Sequence, residues 1–354
     1  MTSKAVPPLE IEIAGRKIGL AHEPFVICEL SGNHNGSLER ALVMLEAAAA
    51  TGADAIKIQT YTPDTITLDH DSPDFRIEGG LWDGRTLYDL YGEAQTPYEW
   101  HAALFAKAKA LGVILFSTPF DETAIDLLEG LDAPAYKIAS FEVIDLPLIA
   151  SVARRGKPMI ISTGMANLAE IGDAVEVAQT NGAAGVILLH CVSAYPAPMD
   201  EANVRTVPDL AARFGVISGL SDHTPGSAAS VAAVALGACV IEKHFTLARS
   251  DGGPDAAFSL EPSEFTALTR DCKDAWRALG KVGYDLLGSE QANIAFRRSL
   301  YVVADVAKGE VITTAHVRSI RPGFGLAPRH LDQVLGKVAQ RDLTRGEAFS
   351  WDMI

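Results

Sequence analysis

Residues 216–224 read VISGLSDHT and residues 239–246 read CVIEKHFT. Each couples a short run of β-branched and aliphatic residues to a histidine, His223 in the first and His244 in the second. Apolar runs of about five residues predict buried strands, and a residue just past such a run sits where strand gives way to loop. In parallel α/β folds that edge is where active sites form. Neutral imidazole is the commonest side-chain metal ligand. Two histidines at equivalent strand ends, beside Asp222 and Lys243, therefore point to a divalent metal site. The competing reading is a pair of hydrogen-bonded core or rim histidines.

Working outward, six more runs of the same kind precede these two: FVICEL, DAIKIQT, VILFSTP, AYKIAS, PMIIST and GVILLHC. Ala- and Leu-rich amphipathic stretches, such as LERALVMLEAAAATGA and PYEWHAALFAKAKALG, lie between most of them and often end in Gly, a helix C-terminal signal. Strands alternating with helices predict βαβ units and a parallel sheet. Eight runs within roughly 220 residues match a (β/α)8 TIM barrel. A doubly wound sheet is the alternative, but no GxGxxG follows the first strand. Residues 9–20, LEIEIAGRKIGL, predict a hairpin ahead of the barrel with Gly15 in its turn.

The runs end in polar residues: Glu29, Lys57 and Gln59, Thr118, Lys137 and Ser140, Ser162, His190, Ser221 and His244. Stability alone does not account for a polar group on nearly every strand, since buried Lys and Glu are costly unless paired. For Lys57 and Lys137 the choice is between an anionic ligand and a rim carboxylate such as Glu142; for Glu29 it is between catalysis and a salt bridge to Lys57.

The net charge of −15 argues against a nucleic-acid surface but leaves room for a local basic pocket. No run approaches the roughly 20 apolar residues of a membrane span. The N-terminus MTSKAVPPLEIEIAG lacks an apolar signal-peptide core, so the chain is expected in the cytoplasm. The four cysteines, Cys28, Cys191, Cys239 and Cys272, form no CxxC pair and are expected as buried free thiols.

Two segments interrupt the regular alternation. Tyr61 to Gln95 is a long connection whose Trp82, Leu87, Tyr88 and Tyr91 suit an ordered lid, or else a helical decoration on the barrel. Near residue 285 the polar stretch GSEQANIAFRRS reads as a linker. Short strand-like runs punctuated by KGE, RPGFG and RGE turns follow it. The expected organisation is a barrel with its hairpin over 1–284, a linker over 285–297 and a small β-rich domain over 298–354. A domain of that size is expected to dock on something.

Nine motifs, in order, resemble the sialic acid synthases: CELSGNHNGS, IKIQTYTPD, FSTPFD, AYKIASFE, ISTGMA, LLHCVSAYP, GLSDHT, IEKHFTL and SIRPGFG. The resemblance covers nearly the whole chain, and its C-terminal part resembles the antifreeze-like (SAF) domain of that family. SGNHN, the LWDGRTLYDLY…TPYEW insertion and DGGPDAAFSLEP are similar to the branch that makes pseudaminic acid, rather than those that make N-acetylneuraminate or legionaminate. A pyruvate aldolase with Lys137 as Schiff-base lysine is the more distant alternative.

The resemblance implies condensation of phosphoenolpyruvate with an N-acetylated amino sugar, 2,4-diacetamido-2,4,6-trideoxy-altrose in this branch. It assigns His223 and His244 to a divalent metal, Mn2+ or Mg2+, although two imidazoles would also suit Co2+ or Zn2+. It assigns Lys57, Thr118, Lys137, Ser140, Ser162, Ser193 and Ser221 to phosphoenolpyruvate. Glu29 is implied as acid or base, with Gln59 and Thr118 positioning substrate or water. Glu142, Tyr195, Asp255 and Arg321 are implied for the sugar. Arg321 would come from the partner subunit of a homodimer whose SAF domains cover the opposite barrels.

Overall fold

The computed structural model describes residues 9–354; residues 1–8, on which part of the reading of the N-terminus rests, lie outside the described residues. The chain divides into two compact units, Met1–Gly280 and Lys281–Ile354.

The first unit opens with the expected hairpin, β1 (Ile11–Ile13) and β2 (Arg16–Ile18), paired antiparallel with Ile13 opposite Arg16. Ala14 and Gly15 both adopt positive φ, 48° and 83°, as a tight two-residue turn between twisted strands requires. Eight parallel strands follow: β3 (Phe25–Glu29), β4 (Ala55–Thr60), β5 (Ile114–Pro119), β6 (Tyr136–Ile138), β7 (Pro158–Ser162), β8 (Gly185–Cys191), β9 (Ile217–Asp222) and β10 (Val240–His244). They close in sequence order, β10 pairing with β3. The TIM barrel is therefore complete.

Helices cover the outside, and their ends follow the local sequence. Ser37 caps Leu38–Ala50 by accepting from the Arg40 N–H, and Asn167 with Glu170 forms a capping box on Leu168–Thr180. Gly112 ends His101–Leu111 in the left-handed region at φ 70°.

Side chains of each strand alternate between the helix layer and the barrel interior. Val26, Cys28, Ile56 and Ile58 pack outward with Met44, Leu45 and Phe265 of the helices. Phe25, Ile27, Ala55, Phe116, Ala135, Ile160, Ile187 and Val240 pack inward with Ile11, Ile13 and Ile18 of the hairpin, which plugs the N-terminal end. Gly185 leaves room for that plug: a Cβ there would lie 2.8 Å from the Ile11 side chain. All four cysteines are buried and free.

The connection after β4 is ordered and partly helical, with turns at Pro63–Ile66, Pro73–Phe75 and Gly80–Trp82 and a helix at Leu87–Ala94. The first element of the second unit is the short-turn helical run Gly288–Phe296. It has one antiparallel pair, β11 (Ser299–Val302) and β12 (Val317–Ile320), around a small core that includes Leu300, Val306, Ile312, Leu343 and Phe349. It is less regular than its strand-like sequence suggests. The KGE and RGE turns leave single bridges, such as Val306 with Leu343 and Val311 with Val338, in place of longer ladders. Among the described residues no helix is long and apolar enough to cross a membrane.

Candidate active site

Two residues beyond the inner apolar layer, the barrel interior becomes ionic. Glu29, Lys57, Lys137 and Glu242 are all buried there. Strand register brings them side by side: Glu29 lies opposite Lys57 on β4 and opposite His244 on β10, and Glu242 lies opposite Ser221 on β9. Lys57 Nζ forms an ion pair with Glu29, lies 3.4 Å from Glu242 Oε1 and donates to Thr118 Oγ1 at 3.3 Å. Lys137 Nζ is 3.6 Å from the same Glu242 oxygen. The carboxylate facing both lysines is thus Glu242, not Glu142. Strand alternation aims Glu242 inward from β10, whereas Glu142 sits past the end of β6 in a short helical turn.

Burial drives the charges in this cluster apart. Desolvation pushes the Glu29 carboxyl up, against the opposing pull of Lys57. Glu242, facing two ammonium groups, is held below its usual value in spite of burial. Lys137 is lowered by desolvation, and Glu142 is raised by burial to about 7. A raised carboxyl beside Lys57 suits Glu29 to exchange a proton during the reaction, while Glu242 balances the lysines.

Hydroxyl groups ring this cluster. Ser140, Ser162 and Ser221 are buried, and Ser193 is half-buried. The Gly164 N–H donates to Ser140 Oγ at 3.1 Å, and a Cβ on Gly164 would overlap the Ser193 and Ser140 hydroxyls. Only glycine admits both serines here. Ser162 Oγ and Glu242 Oε2 are buried without a hydrogen-bond partner among the described residues. The Ser162 hydroxyl is a donor that an oxyanion-bearing ligand would complete, whereas Glu242 Oε2, an acceptor, calls for a donor from ligand or water.

The two histidines stand next to this cluster, their ring centroids 5.2 Å apart. His223 Nδ1–H donates to the Val192 carbonyl at 3.0 Å, which leaves Nε2 as the lone-pair nitrogen. Desolvation, with His223, Lys57, Lys243 and Lys137 nearby, holds His244 well below the usual imidazole range and hence neutral. Its Nδ1 is buried, has no hydrogen-bond partner among the described residues, and lies 3.7 Å from Asp255 Oδ2. Among the described residues no group of three or more His, Cys, Asp or Glu is placed to hold a metal. His244, neutral and with Nδ1 unpartnered among the described residues, together with Nε2 of His223 in its deprotonated form, nevertheless fits a divalent ion completed by substrate or water oxygens.

An aromatic wall closes this side. Tyr195 packs on His223 at 4.5 Å and on Phe258 at 5.2 Å, and Trp82 of the long insertion packs on Tyr195 at 5.8 Å. Trp82 Nε1–H donates to the Pro254 carbonyl at 2.9 Å, and Tyr91 meets Tyr61 edge-on. The insertion thus reaches the site while packing on the barrel.

Several members of the site were not singled out from sequence. Glu242 is one. Cys191, with Sγ 3.7 Å from His223 Nδ1, is another. The third is the role of the SGNHN stretch, which the sequence marks only as a motif and which acts as a clamp. Asn33 Nδ2 donates to the Phe245 carbonyl and to Ser259 Oγ, both at 2.9 Å, and the Asp255 N–H donates to Asn33 Oδ1 at 3.3 Å. Ser31 hydrogen-bonds Asp255 and accepts from Gln59 Nε2 at 3.2 Å. Together they place Asp255 beside His244. Of the remaining expected residues, Glu142 lies past β6 with a buried Oε2 that has no hydrogen-bond partner among the described residues, and Arg321 lies exposed after β12 in the second unit.

The NeuB family model matches residues 44–284. The chain belongs to the NeuB family. A SAF domain model matches residues 297–354, completing the layout of a NeuB barrel followed by SAF. A pseudaminic acid synthase of Campylobacter jejuni (strain 81-176) is 47% identical over 324 residues, 92% of this chain and 94% of that protein. An N,N'-diacetyllegionaminic acid synthase of Campylobacter jejuni (strain NCTC 11168) is 37% identical over 326 residues, 91% of this chain and 97% of that protein. The crystal structure of an N-acetylneuraminic acid (sialic acid) synthetase from Leptospira borgpetersenii in complex with citrate superposes with a TM-score of 0.72 at 31% identity. It covers 81% of this chain and 95% of that one.

Proposed function

We propose that this NeuB-family chain is a pseudaminic acid synthase. It condenses phosphoenolpyruvate with 2,4-diacetamido-2,4,6-trideoxy-altrose and releases phosphate. The observation that carries the reading is the 47% identity to a pseudaminic acid synthase over 92% of the chain. The lower identity to a legionaminic acid synthase, 37%, supports this branch over that one.

In the reaction, C3 of phosphoenolpyruvate forms a bond to the aldehyde carbon of the open-chain sugar, water adds at C2, and phosphate leaves with cleavage of its C–O bond. Lys57 and Lys137, with the Ser140, Ser162, Ser193 and Ser221 hydroxyls, hold the phosphate and carboxylate. Thr118 and Gln59 fix the orientation of substrate and water. Glu29 manages the proton of the water that adds at C2, the role its raised pKa suits. Glu142, Tyr195 and Asp255 line the sugar side, closed by Trp82. His223 and His244 hold a divalent ion, Mn2+ or Mg2+, which when bound supplies Lewis-acid polarisation of the aldehyde.

The working assembly is a homodimer in which the SAF unit of one protomer covers the barrel of the other and supplies Arg321. Apolar exposure supports it. Phe141, Ile144 and Met165 in the connections after β6 and β7, and Leu168 at the start of the following helix, are exposed, and Val282 and Tyr284 at the start of the second unit are 93% and 99% exposed. Phosphate release from phosphoenolpyruvate in the presence of the candidate sugars tests the function.

A further inference from the structure

Immediately behind the two histidines, on the outer face of the strands, lies an ion pair that the chemistry above does not use. Asp222 and Lys243 are register partners on β9 and β10. Both side chains are 1% exposed, and Lys243 Nζ is 2.9 Å from Asp222 Oδ2. Asp222 directly precedes His223, and Lys243 directly precedes His244.

The surroundings are apolar. Leu220, Ile241, Ala229, Ala233, Phe245 and Cys272 belong to one buried cluster between strands and helices. A charge pair in such a layer gains little for folding, because desolvation consumes most of its Coulomb energy and well-packed apolar residues often do as well. What an apolar pair could not supply is the set of bonds that this one makes. Asp222 Oδ1 accepts from the Thr224 N–H at 2.9 Å and from Thr224 Oγ1–H at 2.7 Å. Lys243 Nζ donates to the Thr224 carbonyl at 2.6 Å. Ser230 Oγ–H of the helix Ala228–Ala235 donates to Asp222 Oδ2 at 2.6 Å. Thr224 is thereby held at its N–H, hydroxyl and carbonyl, by groups on two strands.

His223 sits between Asp222 and this tethered Thr224, while Lys243 ties the same turn to the residue before His244. We infer that the Asp222–Lys243 pair is a positioning device that sets the spacing of His223 and His244 and so their affinity for a divalent cation. This rests on the assignment of the two histidines to a metal, and the test separates the two.

The test uses the full-length, metal-stripped protein without substrates, titrated with Mn2+ while free Mn2+ is followed by electron paramagnetic resonance. His223→Ala is the control for the metal assignment. The charge-free double variant Asp222→Asn/Lys243→Met should bind Mn2+ at least ~10-fold more weakly, the scale of losses when groups that orient metal ligands are removed. Thr224→Val removes one tether and no charge, and should weaken binding ~3-fold; it serves if the double variant folds poorly. Ser230→Ala removes a bond to Asp222 without touching Thr224, and should lower Tm while leaving Mn2+ affinity unchanged. If the wild type binds Mn2+, His223→Ala does not, and both Thr224→Val and the double variant bind as tightly as the wild type, the positioning role is overturned and the metal assignment stands. If His223→Ala binds as well as the wild type, the metal assignment fails and takes the positioning role with it.

Discussion

Within the barrel, one inner layer is hydrocarbon and the next is ionic, and the two lie only two residues apart along the same strands. Ile27 is followed on that face by Glu29, Ala55 by Lys57, Phe116 by Thr118, Ala135 by Lys137, Ile160 by Ser162 and Val240 by Glu242. The apolar layer, sealed by Ile11, Ile13 and Ile18 of the hairpin, stabilises the fold. The ionic layer works against it, since four buried ionisable groups must be desolvated. Stability and chemistry are thus segregated along the barrel axis, and substitutions in the two layers should fail in different ways.

The largest effect belongs to the mouth. His223→Ala or His244→Ala should lower turnover at least ~100-fold, a few kcal/mol of transition-state stabilisation, while Tm stays near that of the parent. EDTA should abolish activity, and Mn2+ should restore it. A fully active variant in EDTA would remove the metal from the account.

Next comes the opposite layer. Ile13→Ala deletes buried methyl groups from the plug and should cost about 2–5 kcal/mol of stability. At 25 °C its kcat/KM should stay within about threefold of the parent. Urea unfolding and steady-state kinetics on one preparation check this, and a large rate loss with unchanged stability would erase the distinction between the layers.

The third prediction asks whether the mouth is complete within one chain. An Arg321→Ala chain and a Glu29→Ala chain should each be inactive, and their co-refolded mixture should recover turnover, because one of the two heterodimer sites carries both native residues. Inactive mixtures in which heterodimers are demonstrably present would show that Arg321 does not act across subunits.

The smallest effect concerns Glu142, whose carboxyl is raised to about 7 by burial. A raised carboxyl favours the protonated fold, so its contribution is present below the unfolded value near 4.5 and is lost as pH rises through about 7. Glu142→Gln is insensitive to this. The variant should match the parent near pH 4 and exceed its Tm by about 2 °C at pH 8. A difference independent of pH would mean that Glu142 is not held in that state.

Much of this was legible in the chain itself. Eight apolar runs separated by amphipathic stretches specify the barrel, and polar residues at their ends mark the mouth. Glu242 was passed over because it lies inside CVIEKHF rather than at its end. Counting in twos from Val240 puts 240, 242 and 244 on one face, so the period of the strand carries the signal. The clamp of Asn33 and Ser31 on Asp255 was not legible, because its partners lie more than 220 residues apart and only barrel closure between β10 and β3 brings them together. The Asp222–Lys243 pair was noticed only as two charges beside histidines; that it faces outward follows from register alone.

The most direct test of the central claim, that the ionic layer condenses phosphoenolpyruvate with a diacetamido sugar, is phosphate release with three aldoses offered separately. These are 2,4-diacetamido-2,4,6-trideoxy-altrose, its gulo/manno-type diacetamido counterpart and N-acetylmannosamine. The account predicts sugar-dependent phosphate release with the highest kcat/KM for the altrose compound. Release that is equal or greater with N-acetylmannosamine would contradict the branch, and no release with any of the three would contradict the reaction itself.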